Sequence, residues 1–133
     1  MPFDVELLPA ERVVLTRAWG TVTDDDVVGQ VERTAALFRD GTIDGDWAQI
    51  VDYSAVTDVD GVTSAGVRRA AEANAWPRYA VRAVIVSSDE QFGLARMYQA
   101  LGGPKTSDLC ITRSAAEARA FIASERVRLG IAT

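Results

Sequence analysis

The sequence contains no histidine and a single cysteine, Cys110, among its 133 residues. Without histidine the chain lacks the usual general base and the commonest zinc ligand, and it cannot build a Ser-His or Cys-His catalytic pair. A lone cysteine can form neither an internal disulfide nor a thiolate metal cluster. We therefore expect a non-enzymatic protein with no cofactor and no metal site, in which Cys110 packs as an inert thiol in an apolar strand.

Long apolar runs and glycine-rich phosphate-binding loops are also missing. No run approaches the ~20 apolar residues that cross a bilayer, and the first residues do not resemble a signal peptide. Gly61 and Gly66 do not form a P-loop, because no Gly-Lys-Ser/Thr sequence occurs. The formal net charge of -5 repels phosphate backbones and anionic headgroups. These features predict a cytoplasmic protein with no nucleic-acid partner and no membrane insertion.

The composition and the order of the patterns predict one α/β domain over residues 1–133. The apolar share of 48% and the charged share of 25% are ordinary for a globular domain, and no repeat or linker divides the chain. Alternating and helically spaced apolar residues follow the order β-β-α-β-α-β-α-β-α. Because each strand after the opening hairpin is reached through a helix, we predict a mixed, mainly parallel five-stranded sheet with about four helices.

Residues that can cap a helix precede each helical pattern. The predicted helices lie at about residues 24–39, 62–75 and 89–101 and from about 115 onward, and the predicted strands lie at about 3–7, 13–19, 47–51, 81–86 and 109–111. Trp76 ends the second helix at a surface turn, where its ring either packs in the core or anchors a partner. Arg126 and Arg128 are expected on the exposed last turn of the final helix, where they complement its dipole.

A polar stretch follows the third predicted strand, at the edge where open α/β sheets usually bind their ligands. We interpret it as an interaction loop continuing into the next helix start, with the candidate residues Asp52, Ser54, Asp58, Asp60, Gly61, Thr63 and Ser64. The alternative is structural: Asp52 and Ser54 then satisfy loop amides, and Asp60 or Thr63 begins the next helix.

The same segment resembles a known family. Val51-Asp52-Tyr53-Ser54 followed by Val59-Asp60 is similar to the strand-loop signature of the STAS domain, the fold of bacterial anti-sigma-factor antagonists. The segment Phe92–Tyr98 resembles one found in STAS-like, SpoIIAA-like small bacterial proteins without assigned function. The resemblance implies a STAS-like fold over nearly the whole chain, and a protein-interaction or regulatory role.

The resemblance also implies a phosphoswitch, which this sequence does not reproduce. In switching members a phosphorylated serine follows the acidic residue that matches Asp60. Here Gly61 and Val62 occupy those positions, so a switch would have to use Thr63 or Ser64. A shift of one residue turns a side chain by about 100° around a helix, so the substitute hydroxyls would face a different direction.

Two functions therefore stay open. The leading hypothesis is a STAS-like interaction module that contacts an unidentified protein, or a second copy of itself in a homodimer. The alternative is a small-molecule or lipid-binding domain with an apolar pocket between sheet and helices, near Phe92 and Tyr98; the similarity of the lipid-binding Sec14 fold to the STAS-like fold favours it. On the same helix, Arg96 is either a surface ion-pair partner or a contact residue.

Overall fold

A computed structural model describes residues 2–106 and 108–131 of the chain. Its strands are β1 (Phe3–Leu8), β2 (Val13–Thr23), β3 (Ala48–Gly61), β4 (Arg82–Ile85) and β5 (Cys110–Thr112). Its helices are α1 (Asp24–Arg39), α2 (Ser64–Ala73), α3 (Asp89–Leu101) and α4 (Ala115–Leu129), and a short 3-10 helix covers Gly103–Lys105.

The five strands form one sheet in the order β1-β2-β3-β4-β5. The opening hairpin pairs β1 antiparallel to β2, and the pairs β2–β3, β3–β4 and β4–β5 are all parallel. Since each parallel strand is reached through a helix, the helices cover the faces of the sheet. The predicted α/β class, element order and mixed, mainly parallel sheet are confirmed.

The two faces of the sheet are packed differently. On one face Ala118 and Ile122 of α4 pack against the central strands, in a cluster that includes Leu15, Ile50 and Ile85. Because successive strand residues point to opposite faces, the neighbours of these strand residues face the other side. That second face is covered by α1, α2 and α3, and it carries the cavity described below.

Local capping explains why α1 begins where the sequence predicts. The backbone N–H of Thr23 donates to Oδ2 of Asp26 at 2.9 Å, and the Thr23 hydroxyl donates to the same oxygen at 3.0 Å. These bonds close the first turn, and α1 ends at Arg39 as expected. Helix α2 is shorter than the predicted 62–75, because Thr63 caps it through a bond from the backbone N–H of Gly66.

The predicted loop from Asp52 to Gly61 is wrong, because these residues continue strand β3. The strand pairs with β2 as far as Thr23 opposite Gly61, with irregularities that leave extra residues on the β3 side. Two aspartates bond to backbone N–H groups two residues ahead, Asp52 to Ser54 and Asp58 to Asp60, both at 2.8 Å. The turn-forming residues therefore mark bulges in a strand rather than a loop.

Two residues that the sequence places at a surface turn and on an exposed last helical turn are buried. Trp76 is only 2% exposed and packs edge-on against Phe38, so it is a core residue and not a surface anchor. Arg126 is 4% exposed, and its guanidinium donates to the backbone carbonyls of Glu11 and Arg12, each at 2.7 Å. It ties α4 to the β1–β2 turn, whereas Arg128 is exposed and pairs with Glu125.

Candidate functional site

A cavity of about 110 Å³ lies between the sheet and the helices α1, α2 and α3. Strand residues form its floor and helix residues form its roof. Its walls are mostly aliphatic, with a few polar side chains among them. The lining residues are Thr16, Val27, Gln30, Val31, Gln49, Val51, Tyr53, Val59, Val62, Val67, Arg82, Val84, Val86, Gln91, Leu94, Ala95, Tyr98 and Leu109.

The short side chains of the lining explain why the space is not filled. Valines predominate on the floor and on the helices, and α3 contributes Ala95. Val51 and Val84 are paired on the central strands β3 and β4, yet both are only half-buried because they face this space. Leucine or phenylalanine at such positions would reach further across the gap. The cavity is thus a consequence of side-chain size at positions that would otherwise form the core.

Arg82 is the charged residue at the floor of the cavity and is only 6% exposed. It lies directly opposite Gln49 in the β3–β4 register, and its Nε donates to Gln49 Oε1 at 3.1 Å. Its Nη2 donates to the hydroxyl of Tyr98 on α3, also at 3.1 Å. The guanidinium also lies over two rings, 5.9 Å from the Trp76 centroid and 5.7 Å from that of Tyr98. Neutral groups therefore hold Arg82 in one orientation.

Three buried polar atoms of the lining have no hydrogen-bond partner among the described residues. They are Nη1 of Arg82, Oγ1 of Thr16 and Nε2 of Gln30. All three belong to residues that are at least nine-tenths buried. Because buried polar groups in folded proteins are nearly always bonded, these atoms are exceptions, and each is covered by protein also on the side of the cavity.

The electrostatic character of the cavity is set by Arg82. It is the only residue with a formal charge among the described lining residues. No described carboxylate lies within 4.0 Å of its guanidinium, since the ion pairs found involve other arginines. The site is therefore a pocket with one buried positive charge and no counter-charge among the described residues.

Tyr53 completes the polar wall from strand β3. Its hydroxyl donates to Oε1 of Gln30 at 3.0 Å, which leaves the Gln30 amide nitrogen as a donor on the same side chain. Burial raises the pKa of Tyr53 to about 12. The negative charge of Asp26 adds a smaller increase. The phenol therefore stays protonated at neutral pH and serves as a hydrogen-bond donor.

The predicted interaction residues lie outside this cavity and in two places. Asp58 and Asp60 line a surface groove with Ser88 and Glu90 at the start of α3. Asp52 and Ser54 lie earlier on β3 and are not part of that groove. Gly61 is exposed at the end of the strand. The carboxylates bond to the local backbone amides, which agrees with the structural alternative for Asp52.

The two hydroxyls considered for a phosphoswitch begin helix α2. Thr63 donates its backbone N–H to Oδ1 of Asp24 at 2.7 Å and its hydroxyl to Oδ2 at 2.6 Å. These bonds hold the pKa of Asp24 below its ordinary value. Ser64 is exposed as the first residue of the helix. The hydroxyl of Thr63 is thus engaged in joining the starts of α1 and α2.

Of the three residues predicted near a pocket on α3, only Tyr98 lines the cavity. Phe92 is exposed, and the guanidinium of Arg96 lies 6.0 Å from the centroid of its ring. These two side chains form a contact on the outer side of the helix. The cavity residues that α3 supplies are instead Gln91, Leu94, Ala95 and Tyr98.

Sequence reasoning missed the residues that make the cavity distinctive, although a signal is present. Arg82 interrupts the apolar run from Val81 to Val86, and Gln49 interrupts the run from Ala48 to Val51. A charged or amide side chain inside a strand buried on both faces is uncommon and needs a partner. Their positions opposite one another become visible only when the strands are aligned.

Within residues 2–106 and 108–131, no group of three or more cysteine, aspartate or glutamate side chains is arranged to hold a metal ion. In the same part of the chain, each helix is too short or too polar to cross a membrane.

No model of a known protein family matches the sequence, and a search of curated proteins found no significant similarity. Function is therefore inferred from the fold and from the chemistry of the cavity.

Proposed function

We propose that this chain is a non-enzymatic α/β domain that binds a small molecule in the cavity between the sheet and helices α1 to α3. The observation that carries the proposal is the cavity itself, whose aliphatic walls surround a few buried polar groups. Ligand sites typically combine an apolar lining with a small number of placed polar side chains that orient the ligand.

A packing defect would explain the space less well. Apolar side chains that line an unfilled space lose packing contacts, so leaving the space empty is unfavourable. A single larger aliphatic residue at Ala95 or Val84 would remove much of the void. Retaining a costly space beside polar groups favours a ligand over imperfect packing.

The chemistry of the lining favours binding over catalysis. A general acid or base works best when its pKa lies near the working pH. Tyr53 has its pKa raised to about 12, far from that range. The cavity therefore offers apolar contact, but its described lining holds neither a carboxylate nor a thiol to act as base or nucleophile.

The proposal is tested by filling the cavity and titrating with small probes. Backbone amide NMR spectra are recorded with 1-butanol, butyramide and butyrate, for which we expect a Kd on the order of 1 mM for at least one probe. The changes should concentrate at lining residues. Ala95→Leu should abolish them, while Ala100→Leu, at an exposed position of the same helix, should not.

If all three probes leave the lining amides unchanged, the cavity is not a ligand site. Binding that survives in Ala95→Leu would equally place the probe elsewhere and overturn the proposal. Val31→Leu provides a second filling variant on α1, should Ala95→Leu fail to fold.

We also propose a second candidate, the STAS-like interaction module that the sequence resemblance implies. The observation that favours it is the groove in which Asp58 and Asp60 lie beside Glu90, since exposed acidic residues can face a basic partner. Native mass spectrometry of gently purified protein separates the two candidates. A small added mass supports the cavity, whereas a dimer or partner mass without ligand supports the interaction module.

A further inference from the structure

We infer that the ligand of the cavity is a small, uncharged, apolar molecule that the lining holds through packing contacts. This inference rests on the proposed function and specifies the chemical class of the ligand. It is carried by the polar side chains of the lining, which make their hydrogen bonds within the protein, and by the aliphatic side chains that form the rest of the wall.

The polar side chains around the cavity bond to one another. The Tyr53 hydroxyl donates to Oε1 of Gln30 at 3.0 Å. Nε of Arg82 donates to Oε1 of Gln49, and Nη2 donates to the Tyr98 hydroxyl, each at 3.1 Å. These bonds stabilise the wall of the cavity, and the groups that make them are already paired before a ligand arrives.

Gln91 of α3 is paired with the backbone in the same way. Its Oε1 accepts from the backbone N–H of Ser87 at 2.9 Å, and its Nε2 donates to the carbonyl of Val56 at 3.1 Å. Both ends of this buried amide are therefore bonded within the protein. The amide ties α3 to the sheet, which accounts for a polar side chain beside the cavity without a ligand.

The polar lining atoms that lack a partner are also closed to an occupant of the cavity. Nη1 of Arg82, Nε2 of Gln30 and Oγ1 of Thr16 are covered by protein atoms, so an occupant does not touch them. A hydrogen-bonding ligand would give up its bonds to water without a replacement from these atoms. Such a loss is unfavourable, and an apolar ligand does not incur it.

The surroundings of Arg82 disfavour a charged ligand. Its guanidinium is 6% exposed and lies 5.9 Å from the ring centroid of Trp76 and 5.7 Å from that of Tyr98. An anion would have to lose its hydration shell without a direct bond to the covered Nη1. A cation would be repelled by the buried positive charge. An uncharged molecule avoids both costs.

Aliphatic side chains form most of the remaining surface of the cavity. Val51 and Val84 contribute from the floor, Val27 and Val31 from α1, and Leu94 from α3. All five are half-buried, so each still has apolar surface that the fold does not cover. An apolar occupant would give these side chains the packing contacts they lack and would itself leave water, and both effects favour binding.

The volume of the cavity limits the size of the ligand. An apolar cavity of about 150 Å³ accommodates one benzene molecule, so 110 Å³ suits a molecule of about five non-hydrogen atoms. Cyclopentane has this size and no polar atom. Tetrahydrofuran has the same ring with an ether oxygen in place of one CH₂ group. It accepts a hydrogen bond without carrying a charge and is therefore the matched control.

The test titrates the intact chain with both probes and follows the backbone amide NMR spectrum. Cyclopentane should bind about 10- to 100-fold more tightly than tetrahydrofuran, because the ether oxygen loses its bond to water and finds no donor. Ala95→Leu should abolish the response to cyclopentane, whereas Ala100→Leu should leave it intact. Among the three probes of the preceding test, 1-butanol should bind more tightly than butyrate.

A second pair of variants changes the polarity of the wall at nearly constant side-chain volume. Val84→Thr places a hydroxyl in the lining, so it should reduce the advantage of cyclopentane over tetrahydrofuran by about tenfold. Val127→Thr, at an exposed position of α4 outside the cavity, is the control and should leave the ratio unchanged. Val51→Thr takes the place of Val84→Thr should that variant fail to fold.

Three outcomes would overturn the inference. Tetrahydrofuran binding as tightly as cyclopentane would mean that a donor of the lining reaches the ligand. Butyrate binding more tightly than 1-butanol would identify an anion site. A ratio that is the same in Val84→Thr and in the original protein would place the ring away from this wall.

Failure of this inference is distinguishable from failure of the proposed function. If none of the probes perturbs the lining residues, both fail together. If tetrahydrofuran binds as tightly as cyclopentane and Ala95→Leu blocks both, the cavity is a ligand site and only the apolar assignment is wrong.

Discussion

Asp24 at the start of α1 accepts two hydrogen bonds from Thr63 at the start of α2, from the backbone N–H at 2.7 Å and from the hydroxyl at 2.6 Å. Thr63 in turn accepts from the backbone N–H of Gly66 at 3.1 Å. One carboxylate thus links two helix starts that are 39 residues apart in sequence. Both helices also contribute to the roof of the cavity, so this link stabilises the site.

Replacing Asp24 with asparagine should lower the free energy of unfolding by about 1 kcal/mol at pH 7, because the charged acceptor of both Thr63 bonds is lost. The two bonds lower the pKa of Asp24 in the folded protein. The contribution of Asp24 to the free energy of unfolding is therefore fully present above the unfolded pKa of about 3.9, and it is lost as the pH falls through the folded pKa.

Urea denaturation at several pH values measures this difference. The difference in the free energy of unfolding between the original protein and Asp24→Asn should be constant near neutrality and should disappear at acidic pH. Asp25→Asn, an exposed residue of the same first turn, is the control and should show a smaller effect. A gap for Asp24→Asn that widens on acidification would contradict the assignment.

Arg126→Met should destabilise the fold by about 2 kcal/mol, because two backbone carbonyls of the β1–β2 turn lose the charged donor that the buried Arg126 supplies. Arg128→Met should change the free energy of unfolding much less, since Arg128 is exposed. Thermal and chemical denaturation of the two variants gives the comparison. Equal effects would show that the buried contacts of Arg126 contribute nothing specific.

Tyr53 should ionise at about pH 12 in the folded protein, because burial disfavours the phenolate. An unfolded tyrosine ionises near pH 10. The contribution of Tyr53 to the free energy of unfolding is therefore intact below that pH and is lost as the pH rises towards 12. Ultraviolet difference spectra across this range should contain a late transition that is missing in Tyr53→Phe. A complete tyrosine titration near pH 10 in the folded state would be inconsistent with this burial.

Cys110 should react slowly with thiol reagents in the native protein. The residue is half-buried in strand β5, and burial raises the pKa of its thiol, which reduces the reactive thiolate. Labelling should become fast in denaturant, which serves as the internal control. Rapid labelling under native conditions would mean that β5 exposes the sulfur and that the thiol is not inert.

The contrast between α1 and β3 shows where sequence reasoning succeeded and where it stopped. Helix α1 is specified locally by the cap at Thr23 and the apolar spacing that follows, so its bounds were predicted correctly. The residues from Asp52 to Gly61 carry turn-forming side chains, and the pattern predicted a loop. Their extended structure depends on pairing with β2, and a local pattern contains no information about that distant strand.

The chain by itself determined the element order, the helix caps and the mainly parallel sheet, because capping and periodicity act between residues close in sequence. Only the tertiary structure decided the cavity. Arg82 and Gln49 are far apart in the chain and become neighbours through the β3–β4 register, and helices from three separate segments close the space above them. Such packing depends on the summed volumes of distant side chains, so it follows from their assembly and not from any local pattern.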